Sequence, residues 1–240
     1  MNTDEPLAYT IGDQPFLGLK IYLDSKPLIP RPETEWWVES LLSDVEKIFP
    51  VTGCPKAKPG PEGAEKSFPR RVKFLDLCAG SGAIGCAALA RLPNAQVYFG
   101  EIEPAHEATI LKNIRENNLD EPRADIRIGD LFEPFGDLKF DVIAVNPPYI
   151  PINRELPASV KNYEPALALR AGEDGLDLIR RIAISAKQHL TEGGMLWCEC
   201  DSAHAATACT LFKAQEFTAE IRNDQYGVPR IIVVSFNSEN

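Results

Sequence analysis

Asn146-Pro147-Pro148-Tyr149 is the stretch of this chain best suited to handling a flat –NH2 group. Asn146 precedes a proline, which drives its backbone out of the helical region and into an extended one. Two successive prolines stiffen the turn and remove two N–H donors while leaving their carbonyls free. What remains is a rigid, acceptor-rich lip made of the Asn146 side-chain oxygen and the local carbonyls, with Tyr149 as an aromatic wall. An –NH2 group offers two donors and one face, and such a lip suits both. Taken alone, the four residues read equally as a proline turn closing a strand, so the surrounding elements must decide.

A second group lies earlier, at Phe74 to Gly85: a strand, the turn Cys78-Ala79-Gly80-Ser81-Gly82, and a helix start. It contains Gly-x-Gly-x-x-Gly, and Glu101 follows at the tip of the next strand. Both features fit dinucleotide binding, with glycines for close backbone approach and an acid for ribose hydroxyls. A nicotinamide oxidoreductase is therefore one reading. Two acids favour S-adenosylmethionine instead. Asp76 stands just before the turn, where it would attract an ammonium and repel a pyrophosphate. Asp130, followed by Leu131, comes after the third strand, where it could accept from an adenine amino group. One such acid is readily a solvated loop carboxylate or a helix cap. Three at successive strand ends point to a ligand.

The elements that must position these residues alternate. Strands are predicted at 72–77, 95–100, 124–128, 140–145 and 195–200, with a closing pair at 217–222 and 230–236. Asp141 to Val145, four apolar residues of five, reads as a buried central strand feeding the lip. Helices are predicted over 83–92, from Pro104 with Ile110, Leu111 and Ile114 on one face, over 174–190 with a stop at Gly193-Gly194, and over 202–215. This order gives a doubly wound, mostly parallel α/β sheet whose ligands bind beyond the strands' carboxyl ends. Ahead of it, Phe16 to Asp24, a break at Ser25-Lys26-Pro27, and Leu28-Ile29 read as a strand pair. Thr34 suits a helix N-cap, and Val38, Leu41, Leu42, Val45 and Ile48 repeat at helical spacing over roughly 35–49. Residues 1–34 are thus expected as a hairpin and linker, and 35–240 as the main domain. Within it, 50–71, rich in proline and glycine, is expected as a flexible loop.

Composition narrows the class. The chain has 240 residues, 44% hydrophobic and 25% charged, enough for a full core. A net charge of −10 argues against a broad phosphate-binding face. No run is apolar enough to span a bilayer and the N-terminus lacks a basic or apolar leader, so a cytoplasmic location is expected. The six cysteines are scattered and read as reduced, buried thiols. Cys198-x-Cys200 has no second pair to complete a metal site. His106, His189 and His204 fall in helices without a nucleophile pattern and read as structural or exposed.

Together, the strand-Asp76 turn, Glu101, Asp130 and Asn146-Pro147-Pro148-Tyr149 resemble a class I S-adenosylmethionine-dependent amino-methyltransferase. Three further stretches narrow the likeness: Leu28-Ile29-Pro30-Arg31-Pro32-Glu33-Thr34-Glu35, Tyr163 to Leu169, and Gly172 to Leu176. These resemble the release-factor glutamine methyltransferase family, from about Pro6 to the C-terminus. The resemblance implies a Rossmann-like fold with a seven-stranded mixed sheet and an N-terminal β-hairpin. It implies methylation of the glutamine amide in the Gly-Gly-Gln motif of peptide chain release factors. Cys78 to Gly82, Glu101, Asp130, Leu131 and Asn146 would hold the cofactor, with Asp76 at its ammonium end. Asn146, Pro147, Pro148 and Tyr149 would hold the glutamine, with Asn146, Pro147 and Tyr149 serving the chemistry. The partner would be a protein and not nucleic acid, met by a monomer. Four departures from the family pattern stand out: Cys78 and Asp201 where glycines are usual, a loop over 50–71 longer than usual, and only a handful of residues before Tyr9 where a helical domain usually helps grip the release factor. A DNA or RNA adenine amino-methyltransferase of the same fold is the alternative, since adenine's amine is also planar. A binding module holding the cofactor without catalysis is a third class.

Overall fold

The computed structural model describes residues 4–50 and 71–236. In chain order its elements are α1 (Leu7–Ile11), β1 (Asp13–Phe16), β2 (Leu19–Tyr22), α2 (Pro32–Ile48), β3 (Val72–Leu77), α3 (Ala83–Arg91), β4 (Ala95–Glu101) and α4 (Ala105–Glu116). They continue with β5 (Ala124–Ile128), β6 (Phe140–Val145), α5 (Ala158–Tyr163), α6 (Asp177–His189), β7 (Leu190–Glu199), α7 (Ala205–Lys213), β8 (Thr218–Asn223) and β9 (Pro229–Ser235). The loop expected over 50–71 falls almost wholly outside the described residues.

Seven strands form one sheet in the order β5-β4-β3-β6-β7-β9-β8. The first five are parallel, and β9 pairs antiparallel with both β7 and β8. Alternate residues of a strand face opposite sides, and both sides here are covered. Val142 and Ala144 of β6 join a core under α2, α3 and α4, whereas Ile143 and Val145 join another under α6 and α7. All six residues of β6 are buried, as expected for the centre of the sheet. No helix among the described residues is long and apolar enough to cross a membrane.

Four expectations are corrected. The hairpin turns at Leu17-Gly18, both at positive φ (47° and 79°), and pairs Asp13–Phe16 with Leu19–Tyr22. Leu at a left-handed position is a weak turn signal, so the run from Phe16 to Asp24 looked continuous. Helix α2 starts at Pro32, whose missing N–H costs nothing at a first helical position. Thr34 therefore lies inside the first turn and does not cap it. Helix α6 starts at Asp177 and ends at His189, and Gly193-Gly194 lie within β7, where its register against β6 shifts. A register shift tolerates glycine for the same reason a helix stop does. The short helices α1 and α5 give too few turns for a helical period to show in the sequence.

Two packing devices set the cofactor-side turn. Asn113 of α4, fully buried, accepts from Tyr22 N–H (2.7 Å) and donates to the Ser81 carbonyl (2.8 Å), so one amide joins hairpin, helix and turn. The face of α3 that carries Gly85 lies directly on the sheet. A Cβ built at Gly85 would stand 2.2 Å from Phe99 Cε1. Gly85→Ala therefore forces overpacking and is expected to lower stability by about 1–3 kcal/mol, read as a lower urea midpoint. An unchanged midpoint would show that α3 can move off β4 freely.

Candidate active site

A cavity of about 480 Å³ opens beyond the carboxyl ends of β3, β4, β5 and β6, where the doubly wound topology places ligands. Its walls include Cys78 and Gly80 after β3, Glu101 at the end of β4, Asp130 and Leu131 after β5, and Asn146 and Pro148 after β6. The structure thus brings members of both groups of sequence-predicted residues, the turn with its acids and the proline lip, onto one cavity, while Asp76, Ala79, Ser81 and Gly82 do not line it.

The turn after β3 winds through left-handed conformations at Cys78 (φ 60°), Gly80 (56°) and Gly82 (76°). Such windings gather backbone N–H groups into a concave donor surface. Position 78 holds the geometry that favours glycine, so the cysteine there bears a backbone strain of about 1–2 kcal/mol. Burial and the surrounding carboxylates raise the Cys78 thiol far above its ordinary range, so it stays protonated. Glu101 sits across from the turn. Its Oε2 accepts from Gly80 N–H (2.7 Å), and its Oε1 accepts from Ile102 and Glu103 N–H (2.9 Å each). The carboxylate fixes the turn and still lines the cavity.

Asp76 lies beneath this turn, fully buried, and is not on the cavity wall. Its Oδ2 accepts from Gly85 N–H (2.8 Å), tying β3 to the start of α3. Its Oδ1 is buried without a hydrogen-bond partner among the described residues. Burial, chiefly, and the nearby Glu101 charge raise its carboxyl well above the usual carboxylate range, against the Gly85 hydrogen bond. The N–H cradle of the turn, with Glu101 and Asp130 on the same wall, fits a hydroxyl- and amine-bearing nucleoside. Asp130 is not free either: its Oδ2 accepts from Arg181 Nη2 (2.7 Å), a residue of α6 that also lines the cavity. Leu131 follows at φ 49°, a second strained residue on the same wall.

The cavity is covered by segments that periodicity does not reveal. Ser25, Lys26 and Leu28 line it from the β2–α2 connection, and Pro165, Leu167 and Ala168 from the stretch after α5. Glu164, buried, accepts from Ile29 N–H (3.2 Å) and pairs with Arg31, locking the two segments together. Ser25 Oγ meets His106 Nδ1 (2.8 Å) and Thr109 Oγ1 (2.7 Å) beside this wall. His106 is accordingly a buried, bonded residue.

Of the lip residues, Asn146 and Pro148 line the cavity, whereas Pro147 and Tyr149 do not. The Tyr149 hydroxyl donates to Glu199 Oε1 (3.0 Å), which turns the ring's polar edge toward the end of β7. Burial and the Glu199 charge raise that hydroxyl well above its ordinary range. Asn146 Nδ2 donates to Thr34 Oγ1 (3.2 Å). Glu199 and Trp37 support the site without a signal that the sequence reading used, and Thr34, which it reads as a helix cap, joins them. The available signal was an acid at the last position of a central strand, the same placement as Glu101.

Comparison with known proteins agrees with this geometry. Residues 65–159 match the family model described as methyltransferase small domain. A release factor glutamine methyltransferase of Geobacter sulfurreducens is 35% identical over 234 residues, covering 95% of this chain and 72% of the relative. One of Thermodesulfovibrio yellowstonii is 33% identical over 233 residues, covering 96% and 76%. A ribosomal protein uL3 glutamine methyltransferase of Bradyrhizobium diazoefficiens is 35% identical over 202 residues, covering 83% and 58%. Among solved structures, the hMettl16 catalytic domain in complex with a MAT2A 3'UTR hairpin superposes with a TM-score of 0.62 at 17% identity, over 92% of this chain and 76% of that one. A T. thermophilus 16S rRNA methyltransferase in complex with AdoMet and guanosine gives 0.56 at 16% identity, over 94% and 50%. At these identities the structures show a shared class I methyltransferase fold.

The state of Asp76 is directly measurable. A carboxyl raised in the folded chain contributes stability that is complete below the unfolded value of about 4 and is lost as pH rises through the folded value. Asp76→Asn keeps an acceptor for Gly85 N–H and has no proton to lose. Its urea midpoint relative to the wild type is expected to rise with pH, the gap being larger at about pH 8 than at about pH 5. Parallel midpoint curves would show that Asp76 is not held protonated by burial.

Proposed function

The chain belongs to the release factor glutamine methyltransferase family, and from that we propose that it transfers a methyl group from S-adenosylmethionine to the side-chain amide nitrogen of a protein glutamine. The substrate is the glutamine of the Gly-Gly-Gln motif in a peptide chain release factor. The observation that carries this reading is that Asn146 and Pro148 share one cavity with the glycine turn, Glu101 and Asp130.

When bound, S-adenosylmethionine supplies an electrophilic methyl group. The turn from Cys78 to Gly82 would hold it through backbone N–H groups, Glu101 through acceptors for ribose hydroxyls, and Asp130 with Leu131 at the adenine. Asp76, beneath the turn and off the cavity wall, would serve the ammonium end only by bracing that turn through Gly85 N–H. All other work falls to the lip. An amide nitrogen is a weak nucleophile because its lone pair is delocalised into the carbonyl. With Asn146 Oδ1 and the Pro147 carbonyl each accepting one N–H, the nitrogen is fixed and cannot rotate away. Positioning of this kind supplies up to about 7–11 kcal/mol of a barrier in favourable cases. The same two oxygens would face the positive charge that develops on nitrogen during transfer. Tyr149, anchored at its hydroxyl by Glu199, would stiffen the lip from behind the cavity wall. The nitrogen's proton becomes acidic as the charge develops and passes to solvent water at the open side of the cavity, so its loss needs no strong base.

Two measurements test this. Methyl-labelled S-adenosylmethionine is incubated with the protein and, separately, a release factor, the same factor with its Gly-Gly-Gln glutamine changed to alanine, duplex DNA, or RNA. Label is expected on the intact factor alone, and label on a nucleic acid instead would overturn the substrate. Asn146→Ala is expected to lower kcat by about 10²–10³ while the cofactor Kd stays within about twofold. Undiminished turnover in that variant would remove Asn146 from the reaction.

A further inference from the structure

We propose that Thr34, held by Glu199, fixes which way round the Asn146 carboxamide points, and thereby makes the site select a glutamine amide over a glutamate carboxylate. The inference rests on the reading of Asn146 as the substrate's amide acceptor and adds the residues that set its polarity.

The argument is one of donor and acceptor counting. Glu199 closes β7 at 1% exposure. Thr34 Oγ1 (2.6 Å) and Trp37 Nε1 (2.7 Å) both donate to its Oε2, and the Tyr149 hydroxyl donates to its Oε1 (3.0 Å). Trp37 Nε1 can only donate, and the Thr34 and Tyr149 hydroxyls are placed to donate as well, so three donors are available to a Glu199 carboxylate. A hydroxyl has a single proton. With that proton committed to Glu199, Thr34 Oγ1 can only accept from its next neighbour, which is Asn146 at 3.2 Å. The nitrogen of the Asn146 amide must therefore face Thr34, and Oδ1 must face the other way. The reverse orientation would set two oxygen acceptors against each other where Thr34 is 4% exposed, leaving both unsatisfied. An asparagine amide is symmetric in shape, so this polarity has to be imposed from outside the residue. Helix α2 and strand β7 impose it here.

The consequence is chemical selectivity. Glutamine and glutamate have the same shape and differ in whether a donor or a second acceptor meets the lip. An outward Oδ1 accepts from an –NH2 group and opposes a carboxylate oxygen. A freely rotating Asn146 would instead present Nδ2 to the carboxylate and bind either group. Sites built to pair a substrate N–H reject the analogue that lacks it far more strongly than shape alone allows.

The test measures binding to the full-length protein in the presence of S-adenosylhomocysteine. The probes are a release factor with glutamine in its Gly-Gly-Gln motif and the same factor with glutamate there. The wild type is expected to prefer glutamine by about tenfold or more. In Thr34→Val, which keeps the shape and removes the hydroxyl, the preference is expected to fall below about threefold, with kcat reduced and cofactor Kd unmoved. Thr34→Ser, which keeps the hydroxyl, is expected to restore the wild-type preference. A merely structural role for Thr34 would weaken both probes alike and leave their ratio unchanged, and that result overturns the proposal. A wild-type ratio near one also overturns it and needs no variant. If the ratio behaves as expected but the wild type moves no label onto the glutamine factor, the proposed reaction fails while the orientation of Asn146 stands.

Discussion

A buried carboxylate that must find donors organises this molecule around its lip. Glu199 sits at the end of β7 with almost no access to water, and burial alone pushes its carboxyl upward. An ion in that position is costly unless its lone pairs are met. Thr34 and Trp37 come from α2, and Tyr149 from the turn after β6, so meeting them brings three separate segments to one point. Trp37 also stacks on Trp197 of β7 (6.4 Å between centroids), and the Arg222 guanidinium lies 4.7 Å from the Trp197 ring. The first turn of α2 is therefore held to the sheet by both packing and polarity, and the lip takes its orientation from that attachment.

The cofactor side follows a similar logic with a different balance. Glu101 spends its lone pairs on N–H groups of the turn and of its own chain, which fixes a loop that otherwise has little side-chain mass. Asp76 is half spent, with one oxygen on Gly85 and the other without a partner among the described residues. Strain gathers at the same wall, where Cys78 and Leu131 hold left-handed backbone without being glycine. Backbone strain persists only where surrounding contacts impose it, and it tends to concentrate at functional sites. Cys78 holds a φ of 60°, the left-handed geometry that favours glycine.

Much of this was legible in the sequence because it rests on short-range rules. Apolar runs gave the central strands, and glycine spacing gave the turn. Counting strand ends brought Glu101, Asp130 and Asn146 to one edge of the sheet. What escaped had non-local causes. Thr34 looks like a helix cap because Ser and Thr favour that position, and only the distant Glu199 gives it another partner. Glu164 and Arg31 lie far apart in the chain, yet their pairing covers the cavity. Asp76 reads as a ligand-facing acid from its place before the turn, and only the packing shows that it sits one layer below. Gly193-Gly194 mark a register shift that periodicity cannot distinguish from a helix end.

The claim on which the account depends is that Asn146 presents its oxygen, and not its nitrogen, to a glutamine amide at the mouth of the cavity. The most direct measurement is a crystal structure of the protein with S-adenosylhomocysteine and a glutamine-bearing peptide. The account predicts the glutamine side-chain nitrogen within hydrogen-bonding distance of Asn146 Oδ1 and the Pro147 carbonyl, with Asn146 Nδ2 still donating to Thr34. A glutamine bound away from the lip, or an Asn146 amide whose oxygen faces Thr34, would contradict it.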